Sequence, residues 1–210
     1  MAQRILSPSE SWHRIDAWLA AHAASDLALL NPPAAPEEIR EAERALGIPL
    51  PGDLAESLRC HNGVSAWATV LPEQSPLAVT GIVEHWRTRM DVAAENDGLT
   101  PRPWDEEPWW HPLWVPWAEG ADGAAQVIDR RPGPGTGRLG WAGHSGGGDF
   151  TDSWPDLASL LHAVTRALYE GGDVRGLRPY LTTQGGMWWD EDGCEELDGH
   201  PLRAAPDGLP

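Results

Sequence analysis

Lysine is absent from this chain, and all 15 of its basic residues are arginine. Schiff-base catalysis and P-loop phosphate binding both require a lysine amine, so both are excluded. Cysteine is nearly absent too. Cys60 and Cys194 stand far apart and no CxxC motif exists, which argues against a disulfide framework, a zinc ribbon and dithiol redox work. No apolar run approaches the length of a membrane-spanning helix. Met1 to Asp26 shows no basic start followed by an apolar stretch, so no signal peptide is expected and a reducing cytoplasm is the expected compartment. Positive charge is scarce: 32 acidic residues against 15 basic ones give a formal net charge of -17. Binding to a nucleic-acid backbone depends on cations displacing counterions, so no direct nucleic-acid partner is expected. An acidic body draws in a basic protein partner, although the same charge also serves plain solubility.

Aromatic content is just as lopsided, with 13 Trp against 1 Phe and 2 Tyr. A core built on tryptophan gains a large apolar area per residue but must find an acceptor for each buried indole N–H. At 210 residues the chain suits one domain with appendages, or at most two small ones. Ser9 is a candidate cap for a first helix bearing Trp12, Ile15, Trp18 and Leu19, expected to run through the alanine-rich stretch to Leu30. A second helix opens at Pro36 with Glu37 and Glu38, buries Ile39, Ala42 and Leu46, and closes on Gly47. A third runs from Gly52 to about His61, and Asn62-Gly63 turns the chain.

Short strands are expected at Ala66–Leu71 and Leu77–Ile82, then a helix from Val83 to Glu95 carrying Trp86 and Met90. Leu113–Ala118 reads as a strand whose Pro116 marks an edge or strand end, with Ala124–Asp129 and Gly137–Ala142 as further strands. Asp152, Ser153 and Asp156 are alternative caps for the strongest helix, about Trp154 to Glu170, whose face is Leu157, Leu160, Leu161, Val164 and Leu168. Beyond Gly171 the chain is partly acidic and is expected to fray from about Gly199. Helices, then strands, then a closing helix predict an α+β domain: a central antiparallel or mixed sheet flanked by N-terminal helices and a C-terminal one.

The order of these pieces carries a resemblance. An amphipathic helix closed by glycine (Glu38–Gly47), Leu50-Pro51, and a short helix ending in His61-Asn62-Gly63 are similar to the opening of the SUKH superfamily. Trp114-Val115-Pro116-Trp117-Ala118 with Glu119-Gly120, then Ala125–Asp129, Gly137–Gly140 and Asp152–Leu157, follow that family's later strands and closing helix start. The resemblance spans roughly residues 9–171, leaving 172–210 as an extension without a clear counterpart. It implies a non-catalytic binding protein needing no cofactor, akin to fungal cell-wall-assembly regulators and bacterial toxin-immunity proteins. The leading expectation is an immunity protein that occludes a basic toxin domain, with a regulatory scaffold as the alternative.

Catalytic and metal motifs in the chain have plainer readings. Gly143-His144-Ser145-Gly146-Gly147 fits the G-x-S-x-G nucleophile elbow, but no βαβ succession surrounds it, so a hairpin turn is the simpler account. The histidines lack metal-ligand spacing, and His61 reads as a cap or turn residue. The acidic run after Trp188-Trp189 does not align with a calcium loop. Two partner-binding segments remain. The first is Trp104, Asp105, Glu106, Glu107, Trp109 and Trp110, either a surface for an Arg- or Lys-rich partner or a lid packed over the sheet. The second is the acidic run Asp190, Glu191 and Asp192.

Overall fold

A computed structural model describes residues 4–96, 99 and 107–210. Helix α1 (Pro8–His22) starts from Ser7 rather than Ser9: the Ser7 hydroxyl accepts the Glu10 N–H, and the Glu10 carboxylate accepts the Ser7 N–H at 2.9 Å. This reciprocal box satisfies two of the donors every helix start leaves open. The expected run to Leu30 breaks at Ala23, whose φ of -142° leaves the helical region, and a single turn, α2 (Ala24–Leu27), follows. The break accompanies a tertiary contact that no local pattern announces. Asp26 is buried, and its carboxylate accepts the Met187 N–H from the far end of the chain.

Helix α3 (Pro36–Leu46) conforms to expectation, burying Ile39, Ala42 and Leu46 and ending on Gly47 at φ +71°. Helix α4 (Gly52–Leu58) buries Leu54 and Leu58 but stops short of His61. The three residues that follow have become a clasp. The His61 ring bonds the Asn31 carbonyl at 3.2 Å through Nδ1 and the Asp16 carboxylate at 2.9 Å through Nε2. Asn62 Oδ1 accepts the Val79 N–H at 2.8 Å, capping the next helix. Gly63, at φ +64°, lies so close to the Leu77–Ala78 peptide that a Cβ would overlap it. Burial, the largest single influence on His61, pulls its pKa down, but the Asp16 bond and charge and the Asn31 carbonyl together hold it above the usual imidazole value.

The Asn62 cap explains a correction. Helix α5 spans Val79–Glu95, so the strand expected at Leu77–Ile82 is mostly helix, and only the two-residue β1 (Ser75–Pro76) forms in this region. Val79, Thr80 and Ile82 favour strand by propensity, yet a side-chain cap supplied from Asn62 overrides that weak preference.

Strands β2 (Trp114–Glu119), β3 (Ala125–Asp129) and β4 (Leu139–Ala142) complete an antiparallel sheet in the order β1-β2-β3-β4. Pro116 sits inside β2, paired with Val127, and a bulge follows it before Ala118. Its missing N–H is tolerated because β1 pairs only with Ala118 and Glu119. Alternation along the strands splits the core in two. Val115 and Ile128 join a large cluster with Trp18, Leu161 and Val164, whereas Trp114 and Val127 join a smaller one with Trp110 and Ala93.

Helix α6 (Leu157–Glu170) is capped by Asp156, which accepts the Ser159 N–H at 2.7 Å. It packs against α1, and Tyr169 donates its hydroxyl to the Arg14 carbonyl at 2.9 Å. A second antiparallel sheet, β6-β5-β9, is built from β5 (Leu177–Leu181), β6 (Met187–Glu191) and β9 (Arg203–Ala204), with a small pair β7 (Glu196–Leu197) and β8 (His200–Pro201) beside it in sequence.

The tail expected to fray beyond Gly199 instead runs back onto α1 and α6. Trp18 Nε1 donates to the Pro206 carbonyl at 3.1 Å, and the Gly208 N–H donates to the Leu168 carbonyl at 2.9 Å. The tryptophan core contributes to this: Trp18 is fully buried, and the tail backbone gives its indole N–H an acceptor. The buried indoles of Trp110, Trp114 and Trp117 lack one among the described residues, against the expectation from composition. At about 25 cal/mol per Å² over about 200 Å², burying such an indole contributes roughly 5 kcal/mol.

Candidate functional site

A groove of about 530 Å³ opens between α5 and two hairpin tips. Its helix side is Glu84, His85, Thr88 and Val92, and its far side is Gly123 and His144. Trp109 forms its floor, half-exposed, with Nε1 donating to the His144 carbonyl at 3.1 Å.

Behind Trp109 lies Arg89, almost fully buried although it belongs to an exposed helix. Its guanidinium donates to the Gly143 carbonyl at 2.6 Å and the Ala142 carbonyl at 3.2 Å, and lies 5.2 Å from the Trp109 ring centre. Burial draws the Arg89 pKa below its usual value, against the opposing charge of Asp122. The arginine thus pins α5 to the β4 end, and its cation is turned inward. The rim carries opposite charge. Glu84 and Asp122 are exposed, and Glu119 holds the His85 ring at 3.1 Å. A solvent-reachable indole beside an internal arginine, with the Glu84 carboxylate at the groove edge, is suited to a cationic or apolar-cationic side chain of a partner.

The residues singled out from sequence meet different fates. Trp104, Asp105 and Glu106 lie outside the described residues. Trp109 is in the groove. Trp110 is not a surface residue: it is 1 % exposed and meets Trp114 edge-on at 5.9 Å. Both rings approach Arg89, Trp109 at 5.2 Å and Trp110 at 5.9 Å, but Trp110 lies within the core cluster and Trp109 at its margin.

Glu107 is equally unavailable. Its two oxygens each accept at 2.7 Å, one from Arg131 and one from Arg138, and both arginines also grip Asp129. Burial pushes Asp129 up, but the bonds and charge of Arg131 and Arg138 outweigh it and hold its carboxyl below the usual range. Asp190 accepts the Trp188 indole N–H at 3.0 Å and has its pKa lowered chiefly by that bond. Asp192 pairs with Arg178 at 3.1 Å, while Glu191 is exposed. None of Asp190, Glu191 and Asp192 lines the Trp109 groove.

Ser145 occupies an exposed hairpin tip, where Trp141 and Asp149 exchange backbone hydrogen bonds at 2.8 Å. Among the described residues no imidazole is hydrogen-bonded to it. The glycines after it have a packing role: a side chain at Gly147 would run into the Glu107 backbone, and one at Gly148 into the Trp114 ring. Arg89 was the residue missed from sequence. It falls on the same stripe as Ile82, Trp86 and Ala93, and an arginine on an apolar stripe is the signal that could have found it.

Among the described residues no helix is long and apolar enough to cross a membrane. A search of curated proteins gives no match to this chain. The family model for the SMI1 / KNR4 family (SUKH-1) matches residues 33–162. That span takes in the α3 helix, the His61 clasp, the four-stranded sheet and the start of α6, more than half of the sequence, and the chain belongs to this family.

Proposed function

We propose that this protein is a non-catalytic, cytoplasmic binding module of the immunity type, which neutralises a basic toxin domain by covering its active surface. The observation that carries the reading is the Trp109 groove: a half-buried indole, an arginine whose charge is bonded inward, and the exposed Glu84 carboxylate at its edge. The net charge of -17 extends the same polarity over the whole chain and favours fast encounter with a cationic partner. A nuclease toxin, with its basic phosphate-binding surface, fits this chemistry. Residues 9–171 act as the binding domain on this reading, with 172–210 folded back as an extension. Trp104, Asp105 and Glu106, which precede Trp109 in sequence, would extend the contact, and the acidic Asp190–Asp192 run would add a second one away from the groove.

The test is affinity capture of the tagged protein from its native cytosol, washed at low and high salt. A single stoichiometric basic partner, released more readily by salt, is expected. On that complex Trp109→Ala should weaken binding by about 2 kcal/mol, and the exposed helix change Glu84→Arg should weaken it without altering stability. Many substoichiometric partners would instead point to the scaffold role, and unaltered affinity in both variants would remove the groove from the interface.

A further inference from the structure

A second groove, of about 200 Å³, shares no lining residue with the first. It begins where one face of the sheet changes character. Under α6 this face carries Ile128 and Leu139, and two residues along each strand it carries Gln126 and Trp141, which pair in register. Gln74 lies beside them at the start of β1, and the walls are the 149–154 segment and the turn at Val174–Arg175.

Three observations mark it as built for a ligand. Gln74 is 5 % exposed, yet its amide makes no hydrogen bond among the described residues. The amide atoms are not sealed from the groove, so their donor and acceptor stand ready to pair with a bound molecule. Arg175 extends its guanidinium over the Trp154 ring at 4.4 Å with no carboxylate paired to it among the described residues. Finally, the described non-glycine residues with positive φ are Glu73, Asp152, Arg175 and Asp198; Glu73 and Arg175 line this groove, and Asp152 stands between its lining residues Thr151 and Ser153. Left-handed backbone is strained for such residues and tends to persist where surrounding structure has a reason to hold it.

The lining narrows the ligand class. An anion drawn to Arg175 would face Glu73 and Asp149, and an apolar ligand would leave Gln74 unpaired. A basic ligand would meet Arg175. A neutral molecule bearing neighbouring hydroxyls satisfies all of them. Each hydroxyl donates and accepts, matching the paired donor and acceptor of the Gln74 and Gln126 amides and the Ser153 hydroxyl. The C–H face of a sugar ring has an apolar partner in the Trp141 indole. We propose that this groove binds the terminal unit of a neutral saccharide, a function separate from the Trp109 surface and independent of the toxin-immunity reading.

The experiment is titration of the full-length protein with glucose, galactose, N-acetylglucosamine and their β-linked disaccharides, following the Trp141 indole signal by NMR. Saturable millimolar binding by at least one sugar is expected. Gln74→Leu should weaken it about tenfold or more, the scale set by losing hydrogen bonds to a buried amide. Gln126→Ala, at a half-exposed position, should weaken it as well and keeps the test open if Gln74→Leu fails to fold. Arg175→Gly should raise the thermal unfolding midpoint while weakening the sugar, because it relieves the left-handed strain and deletes a contact. No Trp141 shift with any sugar overturns the proposal. So does unchanged binding in both glutamine variants, or tighter binding of acetate or phosphate at Trp141, which would make this an anion site.

Discussion

Glu107 and the run Asp190–Asp192 read alike in the sequence, as carboxylates set beside tryptophan pairs, but the fold puts them to opposite uses. Glu107 and Asp129 are the internal counter-ions of Arg131 and Arg138, whose guanidinium groups also lie over the Trp114 and Phe150 rings. Asp129 keeps only 3 % side-chain exposure, whereas Asp192 keeps 76 % and holds a single surface arginine. A carboxylate that anchors two arginines beneath an aromatic layer belongs to the architecture, while one in solvent is available to a partner. Composition cannot separate the two, because the difference is set by what approaches from across the sheet.

The comparison can be broken most forcefully at Asp129. Asp129→Asn leaves two arginines sharing the single Glu107 carboxylate, with the buried counter-ion gone, and should cost about 3–5 kcal/mol in urea unfolding. Glu107→Ala removes the more solvated partner while Asp129 stays, so a smaller loss of about 1–3 kcal/mol is expected by the same measurement. The two variants made together should show a coupling that departs from additivity, since they share both arginines.

The pH dependence sharpens the contrast. Because the Asp129 pKa is depressed on folding, its contribution is complete above the unfolded carboxyl value and is lost as pH falls through the lower folded value. Thermal melts of wild type should therefore weaken in acid more steeply than those of Asp129→Asn. Asp16 stands between the two extremes, half-buried and paired to His61. The His61 pKa is raised on folding, so its contribution is complete below the unfolded imidazole value near 6.5 and fades as pH rises through the folded one. Melts across neutral pH should show this slope, and Asp16→Asn should flatten it. The smallest effect is expected at Asp192→Asn, under about 0.5 kcal/mol and vanishing in high salt.

Much of the fold was legible because its signals are local. Helix α3 was bounded by Pro36 and Gly47, and α6 by its leucine face, since caps and helical periodicity act within a few residues. Strands β2, β3 and β4 were found within two residues by their apolar runs between turn residues. The start of α5 was not legible, because its cap Asn62 lies 17 residues away. The α1 break was hidden for the same reason, Asp26 reaching Met187 across 161 residues. Of the candidate site, Trp109 was visible as an aromatic among carboxylates, but Arg89 and Glu84 beside it were not, because they come from a helix separated from it in sequence.

By itself the sequence determined the class of the protein: an α+β chain with acidic character, a tryptophan core and the His61-Asn62-Gly63 signature of its family. The first three follow from composition and periodicity, which each residue carries wherever it sits, and the last is a resemblance that the family match bears out. Tertiary structure alone decided which charges became architecture and which stayed at the surface, where the tail found its place against Trp18, and that Gln74 faces a groove without a partner. Those outcomes rest on desolvation and hydrogen-bond satisfaction, and both are set by neighbours that only folding brings together.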